Sequence, residues 1–168
     1  MPKAHVNGVN LYYETQGKGF PLVLGHEFCA DMYSWDHQVR FLQRRYQVIT
    51  YNARGWPPSD VPKNASDYSW EHGVEDLYQL LHHLDIKQAY IGGLSLGGYV
   101  SLAFGIAHLE MAKGLILAAT GAGAFFEKDR RKEWEREYKG YASRIETEGM
   151  KKVKDDYAKE SKRIQLKH

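Results

Sequence analysis

The chain has 168 residues, 43% of them hydrophobic and 26% charged, and its formal net charge is +2 at pH 7. This length and composition predict one globular domain with a hydrophobic core. The small net charge gives no general drive toward nucleic acids or acidic membranes. The sequence has neither an apolar signal segment nor an apolar run of the ~18 residues that a membrane span needs, so we expect a soluble, cytoplasmic protein.

Cys29 is the only cysteine. An internal disulfide and a cysteine-based metal site are therefore excluded. No other pattern in the sequence implies a metal or an organic cofactor, and we expect none.

The first half of the chain alternates strand and helix patterns. Residues 6–14 alternate apolar and polar side chains around Asn7-Gly8, which predicts a hairpin with a tight turn. Short apolar strands are predicted at residues 21–25 and 46–51. Two helices are predicted between and after them, the first starting near Ser34 as a candidate N-cap. Their apolar stripes are Trp35, Val39 and Leu42 in the first helix and Trp70, Val74, Leu77, Leu81 and Leu84 in the second.

The second half continues the alternation. A buried strand over residues 88–91, a small-residue helix over residues 98–107 and a strand over residues 114–119 follow one another. Such an order implies right-handed crossovers, and hence a mostly parallel sheet with helices on both faces. The predicted fold class is α/β.

The segment Gly93-Leu94-Ser95-Leu96-Gly97 lies where the buried strand becomes a helix. This is the G-x-S-x-G pattern of a nucleophile elbow, in which a strained turn lifts the serine hydroxyl clear of the sheet. Side chains two residues before and after the serine would collide, so Gly93 and Gly97 fill those positions. A glycine-rich turn with an incidental serine is the alternative, and the flanking strand and helix weigh against it.

From residue 125 onward the chain is densely charged, with 14 Lys or Arg against 10 Asp or Glu. Two helices are predicted there, separated by a break at Gly149. Their apolar stripes are Trp134, Tyr138, Tyr141 and Ile145, then Met150, Val153 and Tyr157. Since both signs of charge are interspersed, we interpret Lys151, Lys152 and Lys154 as a solvated helix face, with a basic partner-binding surface as the alternative.

Several blocks of the sequence together resemble the α/β-hydrolase family, in its esterase, epoxide-hydrolase and dehalogenase-like branch. The blocks are residues 22–28, the helix that carries Trp35, residues 48–60 and residues 93–99. The resemblance covers residues 6–122, and the part after Gly123 resembles the helical cap of such enzymes. It implies an α/β-hydrolase core over residues 1–123 and a cap-like segment over residues 124–168.

The resemblance implies a role for residues at matching positions. Ser95 would be the nucleophile, and the backbone N–H groups of Leu96 and Phe28 would form the oxyanion hole. His26 matches a loop histidine that shapes the loop and is not the base. Many relatives have glycine where this chain has Glu27, a departure that bears on the geometry of the oxyanion loop.

The segment after the fourth strand also matches the family, at Arg54-Gly55 and Ser59-Asp60. Asn52 stands where many relatives have aspartate, and its implied role is structural. The aromatic residues Phe28, Trp56 and Tyr99 are candidates for the pocket lining, with ordinary packing as an equal alternative.

The family's triad order is Ser, then Asp or Glu, then His, and this sequence has only His108 and His168 after Ser95. His108 lies about 20 Å from Ser95 at 1.5 Å per helical residue, which excludes it as the base. Nothing in the sequence orients His168. Three upstream histidines are expected at the surface: His72, His82 and His83. No triad acid or histidine is therefore assigned.

A strand over residues 114–119 would leave Leu115, Ile116 and Leu117 on an apolar sheet edge without a further strand. We expect self-association through this edge. Because the edge has no charge or proline to protect it, we interpret the chain as an N-terminal portion of a hydrolase that ends within the cap.

The leading functional hypothesis is a serine hydrolase acting on an ester or similar acyl compound, with a small-molecule substrate and neither a nucleic-acid nor a membrane partner. A non-catalytic binding protein that retains the pocket is one alternative. Cofactor-free perhydrolysis is another. Epoxide-hydrolase and dehalogenase chemistry is disfavoured, because those branches place aspartate where Ser95 stands.

Overall fold

The computed structural model describes residues 2–120 and 128–160, and one sheet organises the first of these two ranges. Its strands are β1 (Lys3–Val6), β2 (Val9–Gln16), β3 (Phe20–Gly25), β4 (Tyr46–Tyr51), β5 (Ala89–Leu94) and β6 (Ala112–Ala118). They are ordered β1-β2-β4-β3-β5-β6. The pairs β1-β2 and β2-β4 are antiparallel and the other three are parallel, which confirms the predicted mostly parallel sheet.

The predicted N-terminal hairpin is present. Val6 pairs with Val9 across a two-residue turn in which Asn7 and Gly8 have φ angles of 44° and 76°. Two positive φ angles match the twist of the flanking strands, and Asn-Gly adopts them more readily than other pairs. Local turn chemistry therefore sets the register of β1 against β2.

Three helices cover the two faces of the sheet: α1 (Asp36–Leu42), α2 (Trp70–His83) and α3 (Leu96–Ala107). Leu22 and Leu24 of β3 pack with Val39 of α1, whereas Val23, between them, packs with the cluster that contains α2 and α3. Successive strand residues point to opposite faces, so the alternation places helices on both sides. The predicted α/β class is confirmed.

The first helix, α1, starts at Asp36, close to the predicted position, but the predicted N-cap is wrong. Ser34 is not an N-cap, because a one-turn 3-10 helix, Met32–Trp35, precedes α1 and is capped by Asp31, whose carboxylate accepts the Tyr33 N–H at 2.9 Å. The Ser34 hydroxyl instead donates to the Glu27 carboxylate at 3.1 Å. The second helix begins with a side-chain cap at Ser69.

Strand β6 has β5 as its neighbour and forms the last position of the sheet among the described residues. Leu115, Ile116 and Leu117 are 39–44% exposed there. An exposed apolar edge strand is a template for pairing with another chain. Self-association through this edge stays a prediction.

The chain divides into two units, Met1–Gly121 and Ala122–His168. In the second unit, α4 (Lys128–Glu148) and α5 (Met150–Glu160) are separated at Gly149, whose φ is 84°, which confirms the predicted break. Arg144 and Lys152 each pair with both Glu148 and Asp156. Lys151, Lys152 and Lys154 are exposed, as expected of a solvated face.

The predicted boundary between core and cap, after residue 123, falls outside the described residues. Among the helices that the structure describes, none is long and apolar enough to cross a membrane.

Candidate active site

Ser95 occupies the junction between β5 and α3 with φ 51° and ψ −108°. A positive φ is rare for a residue with a side chain and marks backbone strain. The Ser95 N–H donates to the Ala118 carbonyl at 2.9 Å, and the side chain is exposed. The local geometry is thus the strained, outward-facing turn that the sequence predicts, while the nucleophilic role of Ser95 stays a prediction.

Gly93 and Gly97 are required by close backbone contacts. A Cβ atom on Gly93 would overlap the carbonyl carbon of Gly97, and a Cβ atom on Gly97 would overlap the Gly25 carbonyl. Every one of these neighbours is backbone, so no flexible side chain can move aside. The elbow can pack against the end of β3 only with glycine at both positions.

Thr120 also anchors the elbow, and sequence reasoning missed it. Its hydroxyl donates to the Ser95 carbonyl at 2.6 Å, and this carbonyl also accepts the Tyr99 N–H at 3.0 Å. A Cβ atom on Gly98 would overlap the Thr120 hydroxyl, so glycine there makes room for the contact. Thr120 follows β6 and is 25 residues from Ser95; no local pattern could have linked the two.

The loop after β3, residues 26–31, carries Phe28 and is called the oxyanion loop below; it lies against the start of α3. The Gly97 N–H donates to the His26 carbonyl at 3.0 Å, and Gly25 is paired with Gly93 in the sheet. Leu96 is the first residue of α3, so its N–H has no acceptor within the helix. The topology therefore brings the Phe28 and Leu96 backbones to the same sheet edge as Ser95.

Two hydrogen bonds fix the ring of His26. Its Nε2 lies 3.1 Å from the Ala53 N–H and its Nδ1 lies 2.7 Å from the Glu27 carbonyl. Because the Ala53 N–H can only donate, Nε2 is the acceptor. Nδ1 is therefore protonated and donates a hydrogen bond to the Glu27 carbonyl. Both ring nitrogens are engaged in holding the loop, in keeping with a structural role.

Burial lowers the pKa of His26 below its usual value of 6.5. The unfolded chain therefore binds more protons than the folded chain just below pH 6.5, and the free energy of unfolding should fall as the pH drops from about 6.5 toward the lower, folded-state pKa. Urea unfolding at several pH values measures this slope. We expect His26→Gln to flatten it and His83→Gln, at an exposed position, to leave it unchanged; equal slopes in all three proteins would contradict the assignment.

Asn52 ties the loop after β4 to the segment after the oxyanion loop. Its side-chain oxygen accepts the Met32 N–H at 2.9 Å, and its side-chain nitrogen donates to the Pro57 carbonyl at 2.7 Å. A carboxylate could accept the first bond but could not donate the second. This explains why asparagine suits the position and supports its structural role.

Arg54 and Asp76 form a buried ion pair that sequence reasoning did not identify. Two guanidinium nitrogens contact the two carboxylate oxygens at 2.7 and 2.5 Å, and the Asn7 side chain donates to Asp76 at 2.8 Å. The hydrogen bond to Asp76 raises the pKa of Arg54. The available signal was an acid at a core-facing helical position, between Val74 and Leu77 of α2.

The three aromatic residues named as pocket candidates all make ring contacts. Trp56 makes edge-to-face contacts with His26 and Phe28, with ring centroids 5.1 and 5.7 Å apart, and Phe28 is 57% exposed. Tyr99, one turn into α3, makes a similar contact with Trp70 at 6.2 Å. These contacts show that all three aromatic residues take part in packing. Their role in lining a pocket stays a prediction.

His108 lies at the opposite end of α3 from Ser95, as the sequence predicts, and two of the three upstream histidines expected at the surface are exposed. His108 follows the last residue of α3 and stacks on Tyr78 with centroids 4.4 Å apart. His82 and His83 are exposed, whereas His72 is partly buried. His168 lies outside the described residues. Within residues 2–120 and 128–160, no hydrogen bond joins the Ser95 hydroxyl to a histidine, and no cluster of His, Cys, Asp and Glu could hold a metal ion.

Comparison with known proteins adds to this geometry. The family model described as "alpha/beta hydrolase fold" matches residues 21–159. Epoxide hydrolase 2 of Siraitia grosvenorii is 32% identical over 111 residues, covering 66% of this chain and 35% of the relative. A putative non-heme chloroperoxidase of Synechocystis sp. is 35% identical over 113 residues, covering 66% of this chain and 40% of the relative.

A solved structure, the enol-lactonase of Burkholderia xenovorans, superposes with a TM-score of 0.78 at 28% identity, covering 92% of this chain and 57% of that protein. The chain thus spans 35% and 40% of the two curated relatives and just over half of this solved structure.

Proposed function

Because the chain belongs to the α/β-hydrolase family, we propose that it supplies the nucleophile and the oxyanion hole of a serine hydrolase acting on an ester or similar acyl compound. The observation that carries the proposal is the strained, exposed Ser95 at the strand-to-helix junction. A substrate carbonyl beside it would also lie near the N-terminus of α3 and the oxyanion loop.

The reaction would proceed in two steps. The Ser95 oxygen attacks the substrate carbonyl carbon, its proton passes to a base, and the carbonyl oxygen becomes an oxyanion that the Leu96 and Phe28 N–H groups stabilise. The intermediate collapses and expels the alcohol, which takes up the proton. Water then attacks the acyl-enzyme by the same route, releasing the acid and restoring Ser95. None of the described residues is assigned as this base.

The activities named for two relatives bear on the substrate. An enol-lactonase acts on a lactone, which is a cyclic ester, and this supports an ester as the substrate class of the present chain. The chloroperoxidase name supports the second candidate, a cofactor-free oxidative reaction with peroxide. The two are separated by assaying p-nitrophenyl acetate hydrolysis without peroxide and halide oxidation with acetate and peroxide.

Covalent labelling of the purified protein tests the leading proposal. We expect a fluorophosphonate probe to label Ser95, located by mass spectrometry of the tryptic peptides. Ser95→Ala should abolish labelling and lower p-nitrophenyl acetate hydrolysis by up to roughly 10⁶-fold, because the nucleophile is lost.

Ser66→Ala is the matched control, since Ser66 is an exposed serine in a short 3-10 turn distant in sequence from the elbow. It should behave as the unaltered protein. A wild-type protein that is not labelled, or hydrolysis that is the same with and without Ser95, would sink the enzyme proposal and favour the non-catalytic binding protein.

A further inference from the structure

We infer that Trp56 is a positioning residue of the oxyanion hole, acting through Phe28. The inference rests on the proposed function, in which the Phe28 N–H faces the reacting carbonyl oxygen. Trp56 belongs to the loop after β4, and Phe28 belongs to the loop after β3, 28 residues away in the sequence. Parallel pairing of β3 with β4 brings the two loops side by side at one sheet edge.

The first contact is a hydrogen bond. The Trp56 indole N–H donates to the Phe28 carbonyl at 3.2 Å. This carbonyl belongs to the peptide unit after Phe28, so the bond restricts rotation of the backbone on the C-terminal side of the residue. Backbone positions on exposed loops are otherwise mobile.

The peptide unit before Phe28 is held from the other side. Its carbonyl, that of Glu27, accepts the His26 Nδ1 proton at 2.7 Å. The N–H of a trans peptide points opposite to its carbonyl, so this bond sets the direction of the Phe28 N–H. Both peptide units that flank Phe28 are therefore anchored, one by His26 and one by Trp56.

Ring contacts couple the two anchors. The Trp56 ring lies edge-to-face on both the His26 ring and the Phe28 ring, an arrangement that stabilises ring pairs beyond the area they bury. His26 in turn accepts a hydrogen bond from the Ala53 N–H. The loop after β4 therefore contacts the oxyanion loop at two points, through Ala53 and through Trp56. Preorganised donors stabilise an oxyanion only when their direction is fixed before reaction, and Trp56 provides part of that rigidity.

Trp56→Phe tests the inference, because it removes the indole N–H and keeps an aromatic ring. We expect kcat for p-nitrophenyl acetate to fall about tenfold while KM changes less than about twofold. The reason is that the Phe28 N–H, which Trp56 positions, acts on the transition state more than on bound substrate. Tyr68→Phe is the control. It deletes a comparable bond, from the Tyr68 hydroxyl to the Pro62 carbonyl at 2.7 Å, and should leave kcat unchanged.

A second measurement does not need activity. In ¹H–¹⁵N spectra, the Phe28 and Cys29 amides should shift and exchange faster with solvent in Trp56→Phe than in Tyr68→Phe, while the remaining amides stay alike. Unchanged Phe28 and Cys29 signals, or a kcat equal to that of the unaltered protein, would overturn the role of Trp56. If hydrolysis is independent of Ser95 in every variant, the proposed function fails instead, and the amide signals still decide whether Trp56 holds Phe28.

Discussion

Asp76→Ala should lower the free energy of unfolding by about 3–5 kcal/mol, because it leaves the buried Arg54 guanidinium without its counterion. Asp76 is 2% exposed, and its carboxylate accepts hydrogen bonds from Arg54 and from Asn7. Arg54 also donates to the carbonyls of Asn7 and Asp67. One side chain thus links the first hairpin, the loop after β4 and α2, and its pairing with Asp76 keeps all three in place.

Urea unfolding followed by circular dichroism measures the effect. Glu71→Ala is the matched control, since Glu71 is an exposed acid in the first turn of the same helix; its loss should cost less than about 1 kcal/mol. The double variant Arg54→Met with Asp76→Leu should be less destabilised than the two single losses added together, because no buried charge remains. A cost below about 1 kcal/mol for Asp76→Ala would show that the pair contributes little.

Gly97→Ala should remove almost all reactivity of Ser95 and destabilise the fold by about 3 kcal/mol. Its Cβ atom would overlap the Gly25 carbonyl and would lie 2.8 Å from the His26 carbonyl oxygen. Relief requires the start of α3 to move away from the oxyanion loop, which breaks the bond from the Gly97 N–H to His26. A displacement of this kind between nucleophile and oxyanion donors costs on the order of 10²-fold in rate.

Fluorophosphonate labelling of Ser95 and thermal unfolding measure the two effects. Gly140→Ala provides the control, since Gly140 lies inside α4 with nothing within 4 Å of the added carbon. That change should favour the helix by roughly 0.8–1 kcal/mol. Labelling of Gly97→Ala at the wild-type rate would mean that the elbow tolerates a side chain, contrary to the structure.

Much of the fold could be predicted because its signals are local. The strand at residues 46–51 and the hairpin turn at Asn7-Gly8 were placed as the structure has them, since apolar periodicity and turn chemistry involve neighbouring residues. The N-cap of the first helix could not be predicted in the same way. Ser34 has the chemistry of an N-cap, but Glu27 takes its hydroxyl and Asp31 caps the earlier 3-10 turn. Which of two suitable residues caps a helix depends on the path of the preceding loop.

The sequence by itself determined the elbow, because Gly93, Ser95 and Gly97 act on one another across a single turn. It also determined the layering of the sheet, through the alternation of strand and helix patterns along the chain. Only the tertiary structure decided what holds the site: Thr120 on the Ser95 carbonyl, Trp56 on Phe28 and Asp76 on Arg54. These partners lie 22 to 28 residues apart, and a hydrogen bond needs about 3 Å. No local pattern specifies which distant groups the folded sheet brings within that distance.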